Sequence, residues 1–197
     1  MKKGRPLTFN PDIALSKAME LFWKKGFEAT STADLMQAMG LSKSSLYQKF
    51  GSKQQLFEQC LDLYIKNENA IFHECIENAS SAKAAILEMT RLIAFPAEQS
   101  KNSKGCFFVN SICELSEDST AKLVSSRIAK EMERTRQAIE GLLAQAQSEG
   151  EMCNTKSPKE LSSLLMTFII GLKVINKMEA SPETVNSLVE QIHEILA

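Results

Sequence analysis

The chain has 197 residues, of which 44% are hydrophobic and 24% are charged. This length suits one domain or two small ones and excludes large multidomain enzymes, while the hydrophobic share excludes a mostly disordered chain. The net charge of −1 is unevenly distributed, because Met1 to Lys53 holds nine basic and four acidic residues, a net of +5, and the remainder carries −6. A basic head on an acidic body is expected where only the head meets a polyanion.

Chain breakers and cysteines narrow the class of protein further. Eight Gly and five Pro are few for this length, which favours long uninterrupted helices. No apolar run is long enough for a membrane span, and the first residues lack the apolar core of a signal peptide. The five cysteines are odd in number and include no C-x-x-C pair, so we expect free thiols in a reducing cytoplasm, with no metal site and no cofactor.

Capping residues divide the first part of the chain into four predicted helices. Asn10, Ser31, Ser42 and Ser52 can each accept hydrogen bonds from free amides at a helix start, and Asp34 completes a capping box with Ser31. A glycine closes each of the first three helices. The predicted helices are 11–25, 32–39, 43–50 and 53–78.

The rest of the chain predicts five more helices and no strand. Apolar residues at helical spacing, with Gly, Ser and Pro as punctuation, place these helices at about 82–98, 104–117, 119–149, 159–178 and 183–196. The predicted fold is all-α with about nine helices. We expect a helix-turn-helix head in residues 1–66, which includes the first half of the linking helix, and a larger body in residues 67–197.

Residues 31–50 form the motif that indicates a function. Two short helices joined by a tight Gly-containing turn are a helix-turn-helix. In the second helix, Leu46 and Phe50 face inward, which leaves polar residues outside. Side-chain donors of this kind suit base edges and phosphates in a DNA groove. The base-edge candidates are Lys43, Ser44, Ser45 and Gln48, and Tyr47 and Lys49 are candidates for the DNA backbone.

Residues 9–57 resemble the DNA-binding head of the TetR/AcrR family of bacterial transcriptional repressors. The resemblance rests on Ala18, Leu21, Phe22, Gly26-Phe27, Thr30 to Leu35, Ala38 to Lys43, Ser45 to Tyr47, Phe50, Ser52-Lys53 and Leu56-Phe57. It implies a homodimer that binds a palindromic double-stranded operator and is released by a small-molecule or electrophilic effector.

The resemblance also assigns roles outside the second helix of the motif. Lys53 would contact phosphate from the start of the fourth helix, and Ser31 would hold a phosphate at a helix N-terminus. Arg5, with Lys2 and Lys3, would form an arm that reaches the minor groove. The alternative for that arm is a disordered, solubilising terminus.

Two C-terminal segments predict the dimer contact. Residues 161–178 are apolar on nearly every face, as expected of a helix that is buried all round, and residues 183–196 carry a second apolar stripe. The family resemblance implies a four-helix interface from the last two helices of each copy. The candidates are Leu165, Phe168, Ile169, Leu172, Leu188 and Ile192; a purely intrachain core is the alternative.

The segment from Lys104 to Glu114 predicts a sensor. We expect Cys106 in the first turn of a helix beside Lys104, where the amide dipoles and the cation favour thiolate. The Gly105-Cys106 pair also resembles a TetR-type subgroup, some of whose members respond to oxidants or electrophiles. The effector and sensor candidates are Cys106, Phe107, Asn110, Cys113 and Phe168. The alternative is that Cys106 is a small buried hydrophobic residue.

Two functions from other classes compete with a DNA-binding repressor. One is a thiol enzyme built on Cys106, but neither His73 nor His193 lies in a motif that would supply its base. The other is a helical interaction protein with a degenerate head, against which the head's charge of +5 argues. The sequence predicts a regulator and no enzyme.

Overall fold

This computed structural model describes residues 9–95, 105–114, 119–153, 155–178 and 180–196, with the backbone alone at 119–121 and 123. Those residues form nine α-helices and no β-strand, which confirms the predicted all-α fold. In chain order the helices are α1 (Pro11–Lys25), α2 (Thr32–Met39), α3 (Lys43–Phe50), α4 (Lys53–Asn78), α5 (Ala82–Ala94), α6 (Phe107–Glu114), α7 (Ser119–Ser148), α8 (Pro158–Lys177) and α9 (Pro182–Ile195). Within the described ranges, no helix has both the length and the apolar character needed to cross a membrane.

Two predicted helices are shorter than expected. Helix α5 ends at Ala94, where 98 was predicted, and Phe95 already leaves the helical conformation. Helix α6 begins at Phe107, so Cys106 precedes its first turn. Residue 104 and residues 115–117, which the predicted sixth helix included, lie outside the described part of the chain.

The described residues fall into two compact units. The first contains those of Met1–Asn67 and Asn110–Val124, and the second contains those of Glu68–Val109 and Ser125–Ala197. The sequence placed the boundary of the head at residue 66 and did not anticipate that 110–124 would join it. Helices α4, α6 and α7 each run from one unit into the other.

Aromatic side chains form the core of the first unit. Phe22 from α1 meets Phe57 from α4 edge to face at 5.1 Å between ring centroids, and Phe27 lies 4.9 Å from Phe57. Trp23 and Tyr64 make a second edge-to-face pair at 5.1 Å. Because aromatic pairs of this geometry add to the effect of simple burial, they hold α1 firmly on α4.

The predicted caps form the tight turns of the head. The Asn10 side chain accepts hydrogen bonds from the amides of Asp12 and Ile13, and Ser31 and Asp34 form the complete capping box. Gly40, which ends α2, has a φ of +67°, a conformation that glycine adopts without the penalty of a Cβ. These caps set where α2 ends and α3 begins.

In the second unit the core lies among α5, α7, α8 and α9. Its completely buried side chains include Ile86, Ile139, Leu143, Leu161 and Leu165. An ion pair that the sequence did not predict joins Lys173 of α8 to Glu68 of α4, and the Lys173 side chain is 17% exposed. The pair compensates the charge of a largely buried lysine within the apolar run of α8.

Candidate DNA-binding surface

Helix α3 presents a polar face to solvent and an apolar face to the head. Leu46 and Phe50, one helical turn apart, are 1% and 3% exposed and anchor the helix. The side chains of the opposite face are exposed, and they are Lys43, Ser44, Tyr47, Gln48 and Lys49. Two cations and several uncharged donors therefore share one accessible helix, as contact with phosphates and base edges requires.

The serines at the start of α3 form a small hydrogen-bonded group. The Ser42 hydroxyl caps the helix by accepting from the Ser45 amide at 3.2 Å. The same oxygen lies 3.0 Å from the Ser44 hydroxyl and 2.9 Å from the Ser45 hydroxyl. Ser44 is exposed and Ser45 half-buried, so Ser44 is the more accessible of the two base-edge candidates.

Ser31 is already engaged within the chain. Its hydroxyl accepts from the Asp34 amide at 3.1 Å and donates to the Asp34 carboxylate at 2.7 Å. The Lys25 ammonium, 2.6 Å from the same carboxylate, holds the pKa of Asp34 well below its usual range, and hydrogen bonds from Ser31 act in the same direction. A phosphate at this helix start would therefore meet main-chain amides rather than a free Ser31 hydroxyl.

Lys53 lies at the start of α4 and leans over the turn that follows α1. Its ammonium is 4.4 Å from the centroid of the Phe27 ring and 3.5 Å from the Glu28 carbonyl oxygen. The side chain is half-buried, so contact with Phe27 restricts where the cation points. Arg5, Lys2 and Lys3, the predicted minor-groove arm, lie outside the described residues.

A carboxylate that the sequence did not single out completes this part of the head. Glu114, the last residue of α6, accepts hydrogen bonds from the amides of Phe27 and Glu28 at 2.9 and 2.8 Å. Eighty-six residues or more separate the partners, so no local pattern could have signalled the contact.

The structure does not place Cys106 where the sequence predicted it. Cys106 directly precedes α6 and is 7% exposed, so it lies just before the first helical turn in which it was expected, and it is buried, as the alternative interpretation had it. Cys113 is exposed, and Asn110 is half-buried. Lys104, the predicted neighbouring cation, lies outside the described residues.

The other sensor candidates lie in different surroundings. Phe107 is 1% exposed, and Phe168 is half-buried against the core of the second unit. A groove of about 640 Å³ in that unit contains none of the five candidates, since its lining consists of Arg136, Gln137, Glu140, Gly141, Ala144, Ser157, Pro158 and Lys159. In the described part of the chain, no three His, Cys, Asp or Glu side chains are grouped to hold a metal ion.

Four of the predicted dimer residues belong to the core of the single chain. Leu165, Leu172 and Ile192 are at most 2% exposed and Ile169 is 8% exposed, so they leave almost no surface for a second copy. This corrects the expectation for those residues, while Phe168 and Leu188 keep part of their surface. The apolar side chains that α8 and α9 expose are Leu164, Val174, Met178 and Ile195, at 39%, 38%, 75% and 48%.

Comparisons with known proteins agree over both parts of the chain. The family model described as bacterial regulatory proteins, tetR family, matches residues 14–60, and the tetracyclin repressor-like C-terminal domain matches residues 85–192. The HTH-type transcriptional repressor ComR of Escherichia coli is 37% identical over 188 residues, which cover 92% of this chain and 86% of ComR. The HTH-type transcriptional repressor BdcR of Escherichia coli is 32% identical over 109 residues, which cover 55% of each protein.

A solved structure matches almost the whole chain. It is a cysteine mutant of the TetR family transcriptional regulator CifR, complexed with 26bp double-strand operator DNA. The TM-score is 0.86 at 26% sequence identity, and the match covers 98% of this chain and 100% of the CifR chain.

Proposed function

This chain belongs to the TetR family of bacterial regulatory proteins, and from that premise we propose that it represses transcription by binding a palindromic operator as a homodimer. A small-molecule effector or a thiol modification releases the operator. The site of action is the cytoplasm, where the bacterial chromosome lies.

The observation that carries this proposal is the division of α3 into two faces. Its apolar residues pack into the head, whereas its polar residues Lys43, Ser44, Tyr47, Gln48 and Lys49 stay exposed to solvent. A recognition helix needs this arrangement, because it must be held rigidly from behind while its front enters the major groove.

Each predicted DNA-contacting side chain, on α3 and beside it, is assigned a role from its chemistry. Lys43, Ser44, Ser45 and Gln48 read base edges, since their donors and acceptors match the pattern in the major groove. Tyr47, Lys49 and Lys53 contact phosphates. Ser31 contributes a helix start on the other flank. Arg5 extends the contact into the minor groove.

Dimerisation follows from the apolar residues that α8 and α9 leave exposed. Leu164, Val174, Met178 and Ile195 supply the apolar centre of a contact, and the half-buried Phe168 and Leu188 add to it. A twofold pair of heads then meets two half-sites about one helical turn apart or at a multiple of that spacing.

Release requires an effector site in the second unit or a reactive thiol. The similar protein CifR was solved as a cysteine mutant bound to operator DNA, which supports testing the cysteines of this chain. The candidate residues remain Cys106, Phe107, Asn110, Cys113 and Phe168. Of these, Cys113 has the exposed thiol.

Selection of bound sequences from a random pool of DNA duplexes tests the proposal. We expect a roughly palindromic consensus, bound with an affinity that falls steeply with salt as counterions leave the DNA. Lys49→Ala should weaken binding to all sequences alike and reduce the salt slope by about one unit for each head. Gln48→Ala should instead relax the preference at particular base pairs, by about 1–3 kcal/mol for a good contact.

The two variants control for each other because they are adjacent and both exposed. Equal losses on every sequence would show that the base-reading and phosphate-contacting positions are wrongly assigned. Recovery of no consensus by the wild-type protein, at low salt, would contradict operator binding itself.

A further inference from the structure

The α1–α2 turn of the head is built around the carboxylate of Glu114. One carboxylate oxygen, Oε2, accepts from the Phe27 amide at 2.9 Å, and the other, Oε1, accepts from the Glu28 amide at 2.8 Å. Both distances are those of strong hydrogen bonds to a charged acceptor. We call this arrangement the Glu114 clamp.

Gly26 leaves the space that the clamp occupies. Its φ of +86° is unfavourable for any residue with a Cβ. A Cβ at this position would also lie 2.3–2.4 Å from three atoms of the Glu114 carboxyl group, which is well inside contact distance. The turn therefore has both the conformation and the room that the carboxylate requires.

The clamped turn is connected to the DNA-binding side chains. Phe27 packs on Phe22 and Phe57 in the centre of the head, and the Lys53 ammonium lies over its ring. Lys53 also approaches the carbonyl oxygen of Glu28, the second clamped residue. Movement of the turn therefore moves the surroundings of a proposed phosphate contact.

The carboxylate arrives on a helix that both units share. Helix α6 begins at Phe107 in the second unit and ends at Glu114 in the first. Its eight residues span about 12 Å at 1.5 Å per residue. Glu114 belongs to the same compact unit as the turn that it holds, so the clamp is a contact within that unit.

We infer that Glu114 is a positioning residue for operator binding, because the Glu114 clamp holds the turn that carries Phe27 and lies beside Lys53. This inference rests on the proposed function and adds to it a residue that positions the DNA-binding head. When both hydrogen bonds of the Glu114 clamp are formed, they fix the turn, and the turn thereby fixes Phe27 and the neighbouring Lys53. Without these hydrogen bonds, the amides of Phe27 and Glu28 lose their partner, and the turn must be ordered again when DNA binds.

Glu114→Gln is the sharpest variant, because it keeps the shape of the side chain and removes one acceptor. A carboxylate offers two acceptor oxygens side by side, whereas an amide offers one oxygen and one NH₂ group. The NH₂ group would face a backbone N–H, donor against donor. Glu151→Gln is the matched control, since Glu151 also accepts from a backbone amide, that of Lys83 at 3.0 Å, but in the second unit.

Two measurements decide the inference. Hydrogen exchange of peptides covering residues 26–30, measured by mass spectrometry without DNA, should be at least several-fold faster in Glu114→Gln and unchanged in Glu151→Gln. Fluorescence anisotropy with a labelled duplex of the selected consensus should show binding about 10-fold weaker for Glu114→Gln alone. Circular dichroism confirms that both variants are folded.

A double-mutant cycle of Gly26 and Glu114 distinguishes loss of the clamp from general unfolding of a variant. Gly26→Ala should reduce binding more in the wild-type background than in Glu114→Ala, where the clash with the carboxylate is absent. Unchanged exchange at 26–30, equal or tighter DNA binding by Glu114→Gln, or additive effects in the cycle would each overturn the inference. Failure of the wild-type protein to bind any duplex would overturn the proposed function, and the exchange experiment would still decide whether the clamp holds the turn.

Discussion

Replacing two adjacent residues of α3, Leu46 and Tyr47, should separate the stability of the head from its affinity for DNA. Leu46 is 1% exposed, and Tyr47 is 41% exposed. Leu46→Ala removes buried methyl groups and leaves a cavity, whereas Tyr47→Ala trims a side chain from the surface. Alanine has the highest helix propensity, so neither substitution weakens the helix through propensity.

The expected loss in the free energy of unfolding follows from how deeply each side chain is buried. A fully buried Leu→Ala substitution costs about 2–5 kcal/mol in the free energy of unfolding, which is a large part of the roughly 5–15 kcal/mol that holds a domain folded. For Tyr47→Ala we expect at most about 0.5 kcal/mol, because the only hydrogen bond of its hydroxyl within the described residues, to Thr32, is 3.5 Å long and weak. Loss of a phosphate contact from each of two heads should nevertheless weaken operator binding about 10-fold or more.

Urea denaturation followed by circular dichroism measures the first quantity, and fluorescence anisotropy with the selected duplex measures the second. Leu46→Ala should shift the unfolding midpoint while the folded fraction still binds DNA. Tyr47→Ala should unfold like the wild-type protein and bind weakly. If Tyr47→Ala were as destabilising as Leu46→Ala, or if it bound DNA normally, the assignment of the two faces of α3 would be refuted.

Three further predictions concern the Asp34 ion pair, the exposed face of α8 and the cysteines. Asp34→Asn should destabilise the protein at neutral pH and make its stability fall less steeply in acid. The Asp34 carboxylate, whose pKa is lowered in the folded state, contributes stability above about pH 3.9, and this contribution is lost as the pH falls. Parallel curves of urea midpoint against pH for the variant and the wild-type protein would contradict this. Val174→Glu should give folded monomers in sedimentation, whereas Ile169→Glu should unfold the body, since only Val174 is exposed; a DNA-competent dimer in both cases would exclude this surface. Limiting N-ethylmaleimide should label Cys153 before Cys106, as read by mass spectrometry, because Cys106 is buried; the reverse order would restore Cys106 as the more reactive thiol.

The sequence alone determined the elements of the head, because their signals are local. A helix cap depends on residues two or three positions apart, so Ser31 with Asp34, and Ser42 with Ser45, can be recognised without a fold. The exposed face of α3 was equally predictable, since apolar residues four apart must share the buried side of a helix.

Burial in the body was only partly predictable. The apolar run of α8 indicated a helix covered on most sides, but it did not indicate which side meets the chain's own core. The structure assigns Leu165, Ile169 and Leu172 to that core and leaves Leu164 and Val174 outside. Several faces of such a helix are apolar, so only the packing of the neighbouring helices decides between them.

The contacts between distant segments were decided by the tertiary structure alone. Cys106 is buried by residues from other parts of the chain, whereas its local sequence left open both a reactive thiol and a small buried residue. Glu114 reaches the amides of Phe27 and Glu28 across more than eighty residues, and its neighbours in sequence carry no trace of that partnership. Backbone amides are the same at every position, so a side chain that binds them leaves no matching residue type for a sequence pattern to reveal.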